Sequence, residues 1–263
     1  MKLKPRYLAL CLAVAFVGCQ SDQHTENAPP ITTVDSLPSL QAQLDQKREA
    51  FLARSPQEVV DDYELGVREV AESGVLQTAL TVGDTVPAFL LPNAHGNPVA
   101  LDSLLRDGPV VLVWYRGGWC PYCNLQLRAL QNALPQIKAA GGRLVAVSPE
   151  LPDSSLSTSE RDSLDYIVLS DQGNGVAKEF GIAYTLPKRI QRRFAGRLDI
   201  PAYNGDSSQT LPLAVSYIVT PDRTIAYAFI DPDYRRRAEP ADIITALENL
   251  KTRKTPTAGE EVE

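Results

Sequence analysis

The sequence is short of the residues that build metal centres and disulfide frameworks. Its 263 residues include four cysteines and two histidines, His24 and His95. A structural zinc site takes four ligands, commonly two CxxC pairs or one pair with two histidines. One CxxC is present, Cys120 and Cys123, and neither histidine lies near it in the chain, so no metal is expected. A c-type haem is excluded too, because Asn124 and not His follows the second cysteine. Excess positive charge is lacking: 26 Lys and Arg stand against 32 Asp and Glu, a formal net charge of -6. Bulk charge therefore speaks against nucleic acid as a partner. There are no internal repeats. The longest apolar stretch, Tyr7 to Val17, is short for a membrane-spanning helix.

That stretch has another use. Lys2, Lys4 and Arg6 precede it and Gly18 closes it, the pattern of a secretory signal: basic start, apolar core, small residue at the cut. "FVGC", Phe16 to Cys19, resembles the bacterial lipobox, with Phe16 where a Leu is usual. The resemblance implies acyl chains on Cys19, and more than one chain gives stable anchoring. "QSDQHTENAPPITT" then suits a flexible tether. The expected address is extracytoplasmic: a bacterial membrane-anchored lipoprotein. Cys11 would leave with the signal, so Cys120 and Cys123 remain as thiols, and one CxxC alone builds no disulfide framework.

Ser36 to about Leu80 has helical spacing, with Leu37, Leu40, Leu44, Phe51 and Leu52 followed by Val59, Val60, Tyr63, Val67 and Val70. Ser55-Pro56 reads as the start of the second helix and Gly74 as its end. Turn signals at Asn93 and Gly96-Asn97-Pro98 predict paired extended segments, then a short helix capped by Asp102. "PVVLVWY" reads as a buried central strand. Leu127, Leu130, Leu134 and Ile137 share a helical face, with a kink or end at Pro135. "RLVAVS" and "DYIVLSD" read as strands, "GNGVAKEFGI" as a short helix, and residues 187–210 as a basic, loop-rich insertion. "LPLAVSYIVT" and "IAYAFI" read as strands joined by "PDRT", and Pro240 to Leu250 as a final amphipathic helix. This order predicts an α/β fold with one central sheet.

The CxxC sits where the central strand turns into a helix. A disulfide there closes so short a loop that it gains little as a staple. Redox chemistry suits the place better. Unpaired amides and the helix dipole stabilise a thiolate at Cys120, and Pro121 suits the first helical turn. Cys123, one turn on, can form a disulfide with an oxidised Cys120, or the reverse. Arg116 is the nearby cation that could lower a thiol pKa, against the alternative of a solvated charge at the strand end.

These segments together resemble the peroxiredoxin-like branch of the alkyl hydroperoxide reductase and thiol-specific antioxidant family. The residues that carry the resemblance are "VGDTVPAFLL", "VLVWYRGGWCPYCN", "LVAVSPE", "VLSDQGNGVAKEFGI" and "SYIVTPD". It implies a thioredoxin-like fold, a central mixed sheet flanked by helices, with an N-terminal helical extension. It also implies a thiol peroxidase that needs no bound cofactor. Two registers follow. Laid on the peroxiredoxin pattern Pro-x-x-x-Thr-x-x-Cys, Cys123 attacks, while Cys120 replaces Thr and Arg116 replaces Pro. Laid on thioredoxin's Trp-Cys-x-x-Cys, Trp119 matches and Cys120 attacks. Peroxiredoxins usually carry an active-site Arg before "SYIV", near Ala214 here. Arg192, Arg193 and Arg197 of the insertion could supply one, or could form a solvated basic face.

The chain then divides into a signal (1–18), a lipidated tether (19–35), a helical hairpin (36–80), a thioredoxin-like peroxiredoxin domain (81–251) and a disordered tail (252–263). The expected function is reduction of hydrogen peroxide or organic hydroperoxides through a Cys120–Cys123 redox disulfide, supported by Arg116 and Trp119. Regeneration would come from thioredoxin or another thiol donor, with homo-oligomerisation left open. The alternatives are a membrane-tethered thiol-disulfide oxidoreductase for exported proteins and a non-catalytic tethered binding domain. The anchor is checked by fractionation: Cys19→Ser should move the protein from the membrane pellet to the supernatant. A variant that stays in the pellet would remove the lipid reading.

Overall fold

Alternating helices and strands run through residues 39–254, the part that the structure, a computed structural model, describes. The expected signal, the Cys19 lipidation site and tether, and residues 255–263 lie outside the described residues. Two helices come first, α1 (Leu40–Arg54) and α2 (Gln57–Ala71), then a single turn, α3 (Val75–Thr78). The pair β1 (Leu90–Pro92) and β2 (Pro98–Ala100) leads into α4 (Leu101–Leu105). Next come β3 (Val110–Trp114), α5 (Pro121–Asn132), α6 (Leu134–Ala139), β4 (Arg143–Ser148), α7 (Pro152–Arg161) and β5 (Ile167–Ser170). The chain continues with α8 (Gly175–Glu179), β6 (Ala183–Thr185), α9 (Lys188–Phe194), α10 (Ile200–Asn204) and β7 (Thr210–Pro212). It closes with β8 (Ser216–Val219), β9 (Ile225–Phe229) and α11 (Pro240–Lys254).

The main sheet has the order β5-β4-β3-β8-β9. Strands β3, β4 and β5 run parallel, while β8 and β9 are antiparallel to their neighbours. This is the mixed central sheet of a thioredoxin-like fold. The unbroken apolar run of β3 has its reason here: every residue from Val110 to Trp114 is buried. Val110, Leu112 and Trp114 enter one core; Val111, Val113 and Tyr115 enter the other. Covering helices supply the second core with Leu40, Leu127, Leu130, Ile137, Ile243 and Leu247. A strand with helices on both faces has no solvated side, so its sequence does not alternate.

Several local expectations shift. Ser55 caps the end of α1, and Pro56, one residue on, occupies the N-cap of α2. Helix α2 ends at Ala71, and Gly74 precedes α3. Asp102 lies within the first turn of α4, whose N-cap is Ala100. The insertion at 187–210 is not loop-rich: it folds α9 and α10, the latter capped by the Asp199 side chain. "LPLAVSYIVT" is two strands, because Thr210–Pro212 pairs with β6 while Ser216–Val219 joins the main sheet. Helix α7 follows its N-cap, Leu151, with Pro152 in its first turn. Helix α11 runs to Lys254, so residues 252–254 are helical where a disordered tail was expected.

Long-range charge fixes α1 and α2 in place. Ser39 caps α1, and the Glu239 carboxylate accepts from the Leu40 and Gln41 amides at 3.0 and 2.7 Å. A carboxylate there satisfies free amides and meets the positive end of the helix dipole. Asp62 on α2 takes Arg189 and Arg193 of α9 at 3.1 and 2.6 Å. Glu64 takes Arg235 at 2.6 Å. Glu239→Ala should cost about 0.5–2 kcal/mol in denaturant unfolding, the range for a lost N-cap. Limited proteolysis should then cut α1 first. Unchanged stability would show that α1 is held by packing alone.

Candidate redox site

The site forms at the carboxyl end of β3. Arg116 and a glycine pair follow the strand, and Cys120 becomes the N-cap of α5 with Pro121 in its first turn. Both glycines are required. Gly117 has φ +143, and a Cβ there would meet the Trp119 ring at 2.3 Å; one on Gly118 would meet Thr158 Oγ1 at 2.0 Å. The loop is tied down at the same point. The Gly118 amide donates to Glu150 Oε1 at 2.9 Å, and the Gly118 carbonyl accepts from Asn124 Nδ2 at 2.9 Å.

Cys120 and Cys123 are free thiols, and both are buried. Arg237, from the segment between β9 and α11, brings its Nη2 to 3.5 Å from Cys123 Sγ. Its Nε donates to Gln126 Oε1 at 2.8 Å, and Nη1 donates to the Arg236 and Tyr234 carbonyls. The two thiols are driven apart in acidity. Burial pushes Cys123 up. Donation from the Cys120 thiol, the charges of Arg237 and Arg116, and the Arg116 backbone together overcome this, so its pKa falls below the usual thiol value. Burial, donation to Cys123 and the Cys123 charge hold Cys120 well above the usual value. These directions favour the thiolate at Cys123 and the protonated thiol at Cys120.

Arg116 is not a solvated strand-end charge. It is 3% exposed, and its guanidinium carbon lies 5.0 Å from the Trp119 ring centroid and 4.2 Å from that of Tyr234. A cation on an aromatic face interacts with the ring quadrupole. Trp119 also meets Phe194 edge-on at 5.8 Å. Together with Cys120, these residues line a cavity of about 220 Å³, whose far wall comes from α1 and α2.

The structure therefore brings together the expected Cys120, Cys123, Arg116 and Trp119. It does not bring Arg193 to the thiols, because that side chain serves Asp62 and Glu58. Ala214 is buried without a charge, and the guanidinium at Cys123 comes from Arg237. Arg237 was missed: "RRR" at 235–237 gives no spacing signal. Its three members go to different places, Arg235 to Glu64 and Asp233, Arg236 to Asp231, and Arg237 to the thiol. Cys19 lies outside the described residues.

Glu150 was also missed. It is fully buried, with the Tyr115 hydroxyl and Cys123 for neighbours. Burial pushes its carboxyl up to about 7, the Gly118 amide pulls it down and the Cys123 charge raises it. An unfolded carboxyl titrates at about 4.3. Between these values the native state holds the extra proton, so stability from this group is full at low pH. It is lost as pH rises through about 7. Glu150→Gln keeps the Gly118 acceptor and should flatten the fall of Tm between about pH 5 and about pH 8. An unchanged slope would remove Glu150 as its source.

Residues 82–228 match the model of the AhpC/TSA family, and the chain belongs to that family. It is 34% identical over 114 residues to a chloroplastic peroxiredoxin Q of Sedum lineare, across 42% of this chain and 61% of that protein. It is 31% identical over 104 residues to the peroxiredoxin Bcp of Escherichia coli, across 39% and 65%. The chain thus spans less than two thirds of these curated relatives. Among solved structures, peroxidoxin BcpB of Mycobacterium tuberculosis superposes with a TM-score of 0.52 at 22% identity, over 65% of this chain and 98% of that one. Enterococcus faecalis AhpC does so with a TM-score of 0.52 at 15% identity, over 70% and 98%. The two superpositions share the fold.

Proposed function

We propose that this AhpC/TSA-family chain is a thiol peroxidase that reduces hydrogen peroxide or organic hydroperoxides through Cys123 and Cys120. The observation that carries the reading is the Cys123 sulfur 3.5 Å from the Arg237 guanidinium, with the Cys120 thiol beside it in the same turn. The relatives' names, peroxiredoxin Q and peroxiredoxin Bcp, support the same class.

The Cys123 thiolate attacks one peroxide oxygen. The S–O bond forms, the O–O bond breaks, and the leaving alkoxide or hydroxide takes a proton. Arg237 holds the negative charge first on sulfur and then, as it develops, on oxygen. Cys123 is left as a sulfenic acid. The Cys120 sulfur attacks it, a disulfide forms and water leaves with the Cys120 proton. An external thiol donor, a thioredoxin-type protein or another thiol, returns the pair to its reduced state. The cysteine order follows the peroxiredoxin register, with Cys123 attacking. The signal-like segment and Cys19 support an extracytoplasmic, membrane-anchored address for this chemistry.

The test is single-turnover oxidation of the reduced full chain by hydrogen peroxide, followed by Trp fluorescence and intact mass. Oxidation should far outpace that of free cysteine and end in an intramolecular disulfide. Cys123→Ser should abolish the fast phase. Cys120→Ser should keep it and accumulate a sulfenic acid that a dimedone probe captures. Arg237→Gln should slow it by roughly 10² to 10³, the cost of one oriented donor at a developing charge. Oxidation no faster than free cysteine would sink the peroxidase reading.

A further inference from the structure

Four cations line the cavity beside the CxxC, and one of them, Arg235, is compensated by Glu64 and Asp233. The other three are Lys47 and Arg54 of α1 and Arg116 of the active loop. None of the three has a carboxylate partner among the described residues, and the buried Nε of Arg116 has no acceptor. In the reduced protein the Cys123 thiolate is the anion near Arg116; a disulfide removes that charge, and a cleft of one sign then draws the opposite charge. Phe51, Trp119 and Phe194 supply apolar wall, and Tyr63, Tyr122 and Tyr234 add rings that carry hydroxyls. The cysteine on this wall is Cys120, and Cys123 does not line the cavity. An occupant of the cavity therefore meets Cys120 first.

This placement bears on the oxidised state. A thiolate entering the cavity reaches the Cys120 sulfur of a Cys120–Cys123 disulfide. The thiol expelled is then Cys123, whose anion Arg237 stabilises, and exchange is faster when the leaving thiol has the lower pKa. We propose that the regenerating reductant is a small, carboxylate-bearing thiol, bound by Lys47, Arg54 and Arg116 and attacking Cys120. This rests on the reading of Cys120 and Cys123 as a redox disulfide. In the first step the reductant's thiolate forms a mixed disulfide with Cys120 and Cys123 leaves as thiolate. A second molecule attacks the reductant's own sulfur in that mixed disulfide. The reductant departs as its symmetrical disulfide, and the Cys120 thiolate takes a proton. Two electrons pass to the protein and two thiols are oxidised. A protein reductant fits less well, because its reactive loop would have to enter a cavity of about 220 Å³ between α1, α2 and the α9 segment.

The experiment uses the full chain oxidised by diamide, so that peroxide plays no part. Reduction is timed with 3-mercaptopropionate, 2-mercaptoethanol and cysteamine, each rate expressed per thiolate. The carboxylate thiol should be about 10-fold or more faster than the cationic one, the lower range for a single-sign cleft. That ratio should fall toward one in the Lys47→Glu, Arg54→Glu double variant, a comparison that a general loss of folding does not produce. Quenched intermediates should carry the mercaptopropionyl mass on the peptide with Cys120. Rates that follow thiol basicity alone, or faster reduction by thioredoxin than by every small thiol, would overturn the proposal. A charge preference confined to oxidation, seen for a carboxylate hydroperoxide over tert-butyl hydroperoxide, would assign the cavity to the peroxide and overturn it as well. Failure of diamide to form the Cys120–Cys123 disulfide would instead remove the functional reading beneath it.

Discussion

Two arginines, Arg116 and Arg237, are each 3% exposed, and neither has a carboxylate partner among the described residues. Burial of an uncompensated charge costs several kcal/mol, so the surrounding structure has to supply an anion or an equivalent. Arg237 spends its donors on the Gln126 side chain, on two backbone carbonyls and on the Cys123 sulfur. Arg116 lies against the rings of Trp119 and Tyr234. The Cys123 thiolate is the anion that both charges favour. Acidity at Cys123 thus follows from the Cys120 thiol and the two buried guanidinium groups, and protonation at Cys120 from its burial and the Cys123 charge.

Holding those charges in place involves chain on both sides of the family match. The matched segment ends at residue 228, yet Tyr234 and Arg237 come after it, and the cavity wall bearing Lys47, Phe51 and Tyr63 comes before it. Glu64 of α2 grips Arg235, and Glu239 clamps the start of α1, so the segment carrying Arg237 is fixed to the helical hairpin at two points. The hairpin therefore acts on the site in two ways. It walls the approach to Cys120, and it anchors the strand-to-helix connection that delivers the guanidinium.

Beneath the thiols, Glu150 ties the glycine loop down through the Gly118 amide. A buried carboxyl beside a thiolate cannot easily ionise as well, since like charges at low dielectric repel strongly. The loop thus rests on a group whose protonation is set against that of Cys123. Gly117 and Gly118 make this close approach sterically feasible.

Much of the scaffold was legible in the chain. The unbroken β-branched run Val110–Trp114 meant a strand covered on both faces, and Leu127, Leu130, Leu134 and Ile137 marked the face that covers it. The CxxC with Pro121 inside it meant a thiol pair at a helix start, because that spacing and that turn are local. The α9–α10 insertion read as loop because its helices are short and held by partners far away, Asp62 and Glu69 on α2 for Arg189. Arg237 was illegible for the same reason: 114 residues separate it from Cys123, and nothing local marks it among three consecutive arginines. The sequence by itself determined which thiols exist, that they share one turn, and which strand presents them, since these follow from spacing and periodicity. Only the tertiary structure decided which thiol is the anion, because that depends on electric fields from groups that folding alone brings together.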